Sequence, residues 1–187
     1  MSEAAITGAG LIRTNTRTSL RPERFLAVFA LCLLLSFALL LAPFMQRAVF
    51  AFSHGLVSIA ATLIHICGGH AIVQGSVLRV PSSGFGIEMK DGCNGANVLI
   101  LLWSAVIAFP ATLLQKAKGL FWGALAIQCV NLLRFISLFY LGQYSLPLFD
   151  FAHEYLWESL IMLDGLLFFG LWVHLVFRGL ARPYANA

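Results

Sequence analysis

The feature that most constrains this chain is a set of long apolar runs. Four segments, at residues 25–44, 94–114, 120–141 and 153–177, consist mainly of apolar residues. Each has about the 20 residues that a helix needs to cross a bilayer. Over the whole chain 60% of the residues are hydrophobic and 11% are charged, and the mean hydropathy is +0.87. These values lie outside the usual range of soluble domains. We therefore predict an all-α membrane protein, built as a bundle of four transmembrane helices.

Basic residues beside the apolar runs predict the orientation of the bundle. Residues 1–24 are polar and contain four arginines without apolar periodicity, as in a disordered cytoplasmic tail. Lys116 and Lys118 lie between the second and third runs, and Arg178 and Arg182 follow the fourth. Basic residues favour the cytoplasmic side of a membrane, so four spans place both termini inside. The predicted parts are the tail, a transmembrane domain at 25–177 and a basic cytoplasmic tail at 178–187, in the cytoplasmic membrane.

Two shorter segments between the first and second runs are predicted to lie outside the bilayer. Residues 46–67 mix apolar and polar side chains. This pattern favours an amphipathic helix at the outer surface, although hydropathy leaves a full span open. Residues 71–90 are predicted to form a small β-hairpin. Phe85, Ile87 and Met89 alternate there with Gly, Glu and Lys, as in a half-buried strand.

A short turn-rich segment at residues 91–97 leads directly into the second apolar run and contains Cys93. A helix N-terminus favours negative charge, and the thiolate is the nucleophilic form of cysteine. Cys93 is therefore a candidate nucleophile. Two other interpretations stay open: an inert thiol, and a disulfide to Cys67, since the predicted topology exposes both cysteines to an oxidising compartment.

Two polar residues of the later runs are predicted to lie on the same side of the membrane as Cys93. Arg134 is about two turns from the outer end of the third run, and His153 begins the fourth. A histidine can accept a thiol proton and return it to a leaving amine. An arginine stays protonated, so it can stabilise an oxyanion or orient a carbonyl. Alternatively, His153 is an interfacial histidine without a role, and Arg134 forms a structural ion pair with Asp164.

Polar residues recur at helical spacing in the second and third runs. The two stripes consist of Cys93, Asn97 and Ser104, and of Gln128, Asn131, Arg134 and Ser137. Such stripes usually face the interior of a bundle, where they either join helices or line a polar cleft. The residues predicted to support the site are Asn94, Asn97, Asn131 and Asp164.

The sequence predicts no metal and no cofactor. The segment from His153 to Trp157 begins like the H-E-x-x-H zinc motif, but Trp157 replaces the second histidine. The four cysteines have no zinc-ligand spacing, and Cys32 and Cys129 lie inside apolar runs, where cysteine is usually a small buried hydrophobic residue. The basic residues are accounted for by topology, so nucleic-acid binding is not predicted.

Three motifs follow one another along the chain. Residues 93–95 read Cys-Asn-Gly at the start of a helix, Asn131 and Arg134 form Asn-x-x-Arg in the next run, and His153 begins the last. Over residues 25–177 this order resembles the exosortase and archaeosortase family, in particular a short form such as exosortase H. The family consists of polytopic membrane cysteine transpeptidases that are thought to process proteins with a C-terminal sorting signal.

The resemblance implies a role for each motif residue. Cys93 attacks the scissile carbonyl, Arg134 stabilises the oxyanion, and His153 protonates the leaving amine. The implied substrate is an exported protein whose C-terminal tail has a short recognition motif, a hydrophobic helix and a basic end. The resulting thioester passes to an unidentified acceptor. A membrane cysteine protease that releases the product to water is an alternative, and a non-catalytic structural subunit of a membrane complex is another.

The predicted side of Cys93 can be tested with a membrane-impermeant maleimide on intact cells. We expect the reagent to label Cys93, because the topology exposes this thiol outside the membrane. Mass spectrometry of the peptide that contains Cys93 measures the labelling, with Cys93→Ser as the control. An unlabelled Cys93 under reducing conditions contradicts the topology.

Overall fold

The computed structural model describes residues 21–90 and 92–181, and this part of the chain is mostly helical. Its helices are α1 (Pro22–Leu40), α2 (Pro43–Ile66), α3 (Ala96–Ala108), α4 (Leu113–Tyr144), α5 (Leu146–Phe151) and α6 (Trp157–Ala181), and a π-helical turn at Ala152–Leu156 precedes α6. Its strands are β1 (Ile72–Gln74), β2 (Val77–Arg79) and β3 (Gly86–Glu88). Most of the predicted N-terminal tail, Asp91 and residues 182–187 lie outside the described residues.

The predicted fold class is confirmed, because four helices are long and apolar enough to cross a membrane and a small antiparallel sheet accompanies them. The four candidates are Pro22–Leu40, Pro43–Ile66, Leu113–Tyr144 and Leu146–Arg178. They differ in one member from the four runs of the sequence prediction. The helix of the second run, α3, has only 13 residues, whereas α2, predicted to lie at the surface, has 24.

Pro110 explains why α3 is short. A proline disfavours the helical conformation of the residue before it, and Phe109 is extended, with φ −70° and ψ 138°. The chain then begins α4 at a capping box, in which Thr112 Oγ1 accepts a hydrogen bond from Gln115 N and Gln115 Oε1 accepts one from Thr112 N. At 1.5 Å per residue α3 is about 20 Å long, which is less than the thickness of the hydrocarbon core.

Four helices, α1, α3, α4 and α6, pack into a bundle whose core lies between α3, α4 and α6. The buried apolar residues of this core are Val98, Leu102, Val106, Phe109, Ile127, Ile161, Trp172 and Val176. Two glycines of α4 allow close packing, as is common between membrane helices. A Cβ atom at Gly119 would lie 2.5 Å from Trp172 Nε1, and one at Gly123 would lie 2.5 Å from Leu102 Cδ2.

A second core lies at the end of the bundle where α3 begins, which we call the Cys93 end. It joins α2, the sheet and the last part of α4, and its largest wholly buried side chains are Val57, Ile64, Leu78, Met89 and Phe139. The opposite face of α2 exposes apolar side chains such as Phe50, Ile59 and Ile66. This two-sided burial matches the amphipathic pattern predicted for residues 46–67.

The predicted hairpin is a sheet of three short strands in the order β1-β2-β3, with both pairs antiparallel. As predicted, Ile87 and Met89 are buried, 8% and 2% exposed, while Glu88 between them faces outward. All three strands have three residues each, but the alternation around β3 extends over residues 85–90 and was therefore recognised in the sequence. The sheet leads the chain directly to the Cys93 segment.

Substitution of Gly119 tests the helix packing. Gly119→Ala should lower stability by about 1–3 kcal/mol, because the new methyl group overlaps the rigid indole of Trp172. Gly170→Ala is the matched control, since a Cβ at that position of α6 has no neighbour within 4 Å. The midpoints of thermal unfolding in detergent measure the difference. Equal midpoints for the two variants would contradict this packing.

Candidate active site

The segment around Cys93 is a tight turn between the sheet and α3. Cys93 N donates a hydrogen bond to Lys90 O at 3.0 Å. Gly92 and Gly95 both have positive φ angles, 91° and 77°, which side-chain-bearing residues rarely adopt. Gly95 also lacks room for a side chain, because a Cβ there would lie 3.1 Å from Gln128 Nε2. The two glycines therefore set the backbone on which Cys93 is held.

Asn94, predicted as a supporting residue, fastens this turn to three helices. It is wholly buried, and its Oδ1 accepts a hydrogen bond from Ala96 N at the start of α3. Its Nδ2 donates to Ser53 Oγ of α2 at 3.1 Å, and its backbone oxygen accepts from Gln128 Nε2 of α4 at 3.3 Å. Asn94 is thus fixed by bonds to α2, α3 and α4, and the adjacent Cys93 with it.

His153 lies against Cys93, as the sequence predicted. The distance between Cys93 Sγ and His153 Nε2 is 3.4 Å. His153 belongs to the π-helical turn, a feature that is frequent at functional sites. Its ring stacks on Phe149 of α5, with 5.7 Å between ring centroids and 16° between planes. The imidazole is therefore held between the thiol and an aromatic ring.

Arg134 also reaches Cys93, but its ion-pair partner differs from the prediction. Arg134 is 3% exposed, and its Nη2 lies 4.0 Å from Cys93 Sγ and 3.7 Å from Glu158 Oε2. The predicted pairing with Asp164 is wrong. Asp164 follows Glu158 by six residues, about 9 Å farther along α6, and one of its carboxylate oxygens is buried without a hydrogen-bond partner among the described residues.

The π-helical turn explains why Glu158 was missed. Its hydrogen bonds join residues five apart, as in the bond from Trp157 N to Ala152 O. In a regular α-helix Trp157, four residues after His153, would lie on the same face as His153. Across the π-helical turn Glu158, five residues after His153, takes that position. The sequence carried no clear signal for this turn.

The other predicted supporting residues occupy different places. Asn131 is wholly buried beneath the turn, where its Nδ2 donates to Gln128 Oε1 at 3.4 Å. Its Oδ1 is buried without a hydrogen-bond partner among the described residues. Asn97 is exposed and lies beside Gly92. Asn131 thus supports the Cys93 turn from below, while Asn97 faces away from the interior.

Cys93, Arg134 and His153 line one cleft at the Cys93 end, with a volume of about 370 Å³. The remaining lining residues are Phe85, Gly86, Ile87, Glu88, Lys90, Phe135, Leu138, Leu146 and Phe149. The sheet, α4, α5 and the π-helical turn all contribute to its walls. The three polar groups singled out from the sequence therefore line the same cleft.

All four cysteines are free, so the alternative of a disulfide between Cys93 and Cys67 is not realised. Cys32 is partly exposed and Cys129 is exposed on α4, which corrects the expectation that both are buried. Within residues 21–90 and 92–181, no group of three His, Cys, Asp or Glu side chains could hold a metal ion.

The sequence model of the transmembrane exosortase family matches residues 7–178, which run from before α1 into the last turn of α6. The chain belongs to the transmembrane exosortase family. It is therefore a multi-pass membrane protein with a transpeptidase- or protease-type role that acts on exported proteins. No curated protein and no solved structure matches the chain.

Removal of the Ser53 hydroxyl tests the attachment of the Cys93 turn. Ser53→Ala leaves the buried Nδ2 of Asn94 without its recorded partner, which should cost about 1–3 kcal/mol of stability. The control is Ser58→Ala on the same helix, because Ser58 Oγ bonds only to the backbone oxygen of His54 one turn away. Unfolding midpoints in detergent compare the two. A Ser53→Ala protein as stable as Ser58→Ala would contradict the assigned hydrogen bond.

Proposed function

We propose that Cys93, Arg134 and His153 are the catalytic residues of a membrane cysteine transpeptidase. The observation that carries the proposal is the position of one thiol, 3.4 Å from an imidazole nitrogen and 4.0 Å from a guanidinium nitrogen, in a cleft of a family member. A nucleophile beside a base that is itself held in place is the arrangement of covalent catalysis. Phe149 holds the base here.

The first half of the reaction forms a thioester. His153 Nε2 accepts the proton of the Cys93 thiol, and the sulfur attacks the carbonyl carbon of the scissile peptide bond. The carbonyl oxygen becomes an oxyanion, which the Arg134 guanidinium stabilises. As the tetrahedral intermediate collapses, the carbon–nitrogen bond breaks and His153 returns the proton to the leaving amine. The acyl group stays on Cys93, and the C-terminal tail departs.

The second half transfers the acyl group to an acceptor. A nucleophilic amine or hydroxyl group attacks the thioester carbonyl, His153 takes the acceptor's proton, and the carbon–sulfur bond breaks. The proton then returns to the Cys93 sulfur. Phe85 and Phe149 line the cleft, and we expect their apolar rings to limit the entry of water to the thioester, which favours transfer over hydrolysis.

The proposed substrate is an exported protein with a C-terminal tail that combines a hydrophobic helix with a basic end. Such a helix enters the bilayer beside the exposed apolar faces of the bundle, and its basic end stays on the cytoplasmic side. The bond to be cleaved then lies outside the membrane, on the outer side of the cytoplasmic membrane, where we place the Cys93 end.

Co-expression with an exported protein that bears such a tail tests the proposal. Cys93→Ala should abolish processing, Arg134→Lys should slow it by roughly 10²–10³-fold through loss of the guanidinium, and His153→Ala by roughly 10²–10⁴-fold. Cys129→Ala and His65→Ala are matched controls, because both residues are exposed away from the cleft. Processing is followed by the change in size of the exported protein.

Processing in Cys93→Ala at the wild-type rate would refute the enzymatic role and leave the structural-subunit alternative. The mass of the product separates the two enzymatic outcomes. Transfer adds the mass of an acceptor to the new C-terminus, whereas hydrolysis leaves a free carboxylate there.

A further inference from the structure

We infer that the cleft beside Cys93 binds a bulky apolar side chain of the substrate, close to the bond that is cleaved. The inference rests on the function proposed above and adds a substrate preference to it. The part of the cleft concerned, which we call the apolar wall, consists of Phe85, Phe135, Leu138, Leu146 and Phe149.

Five polar or charged side chains line the cleft beside the apolar wall. Arg134 and His153 both contact Cys93, and Glu88 and Lys90 are exposed. The apolar wall offers no side-chain hydrogen-bond donor or acceptor. A polar side chain that packs against the apolar wall loses water without gaining a side-chain partner there, which is unfavourable. An apolar side chain gains from the same desolvation.

Because the cleft is small, only a short segment of the substrate fits in it. The apolar preference therefore concerns that segment. A volume of about 370 Å³ lies near the lower end of the roughly 300–1,000 Å³ of ligand pockets. A membrane-spanning helix is about 10–12 Å wide and 30 Å long, so the hydrophobic tail does not fit. The apolar wall therefore contacts residues next to the scissile bond rather than the tail helix.

The apolar wall is fixed by packing behind it. The ring of Phe85 lies directly on Gly142 of α4, where a Cβ atom would overlap Phe85 and approach Phe149 Cδ2 to 3.2 Å. Phe85 also contacts Phe139, with 6.4 Å between ring centroids. Because Phe149 stacks on His153, a side chain bound against Phe149 packs beside the imidazole that handles the proton.

Labelling of the full-length protein in detergent with N-ethylmaleimide and N-benzylmaleimide tests the preference without requiring turnover. For each reagent, mass spectrometry gives the labelling rate at Cys93 and at the exposed Cys67 of the same molecule. The ratio of benzyl to ethyl rates should be about tenfold higher at Cys93 than at Cys67, which corresponds to about 1.4 kcal/mol. The phenyl ring binds the apolar wall, while Cys67 corrects for intrinsic reactivity and partitioning.

Two leucines of α5 provide a matched pair of variants. Leu146 lines the cleft and Leu148 does not, and both are exposed, at 62% and 46%, so neither substitution empties a core. Leu146→Gln should lower the preference at Cys93 at least about threefold, and Leu148→Gln should retain it. Gly142→Ala should also lower the preference, because its methyl group overlaps the present position of the Phe85 ring and displaces that ring from the apolar wall.

Equal ratios at Cys93 and Cys67, or an equal loss in Leu146→Gln and Leu148→Gln, would overturn the inference. The proposed function fails separately. Processing that persists in Cys93→Ala refutes the catalytic role whatever the labelling rates are. If processing depends on Cys93 but the benzyl-to-ethyl ratio is the same at Cys93 and Cys67, only the side-chain preference is removed.

Discussion

The arrangement of the Cys93 end depends on a buried positive charge. The guanidinium of Arg134 is 3% exposed among apolar helices, and a charge well inside a membrane helix costs about 2.5–3.5 kcal/mol on insertion scales. Two interactions of the same guanidinium nitrogen offset this cost, the ion pair with Glu158 and the contact with the Cys93 sulfur. The start of α6 and the turn before α3 are thus drawn to the same level of α4. The cleft lies where these three elements meet.

A second set of polar contacts fixes the position of α2 and the Cys93 turn relative to α4. Ser53 of α2, Asn94 of the turn and Gln128 and Asn131 of α4 form a continuous chain of hydrogen bonds. Apolar contacts have no preferred direction, so apolar packing alone would allow α2 and the sheet to slide over α4. Hydrogen bonds between buried groups prevent such sliding, because a buried donor or acceptor that loses its partner costs free energy. The sheet and α2 are thereby fixed over the bundle, and Phe85 over the cleft.

The sequence predicted the features that follow from hydrophobicity and residue chemistry. Apolar runs of membrane length gave the helical bundle, and the rarity of polar groups within them directed attention to Arg134 and His153. Pro110 was visible in the sequence and limits α3, yet the apolar run continues past it, so length alone overestimated the helix. The count of four long helices is correct, with α2 in place of α3.

Glu158 was missed because a π-helical turn shifts the helix face, and no residue pattern predicts such a turn. Phe149 and Ser53 were missed because their roles depend on contacts between segments distant in sequence.

The central claim is that the acyl group of the substrate passes through Cys93. The most direct measurement is the mass of the Cys93 peptide from membranes in which a tail-bearing exported protein is being processed, with and without neutral hydroxylamine, which cleaves thioesters. We expect a substrate-derived adduct on Cys93 that hydroxylamine removes and that Cys93→Ala lacks. Continued processing in Cys93→Ala, with no adduct on the wild-type cysteine, would contradict the claim.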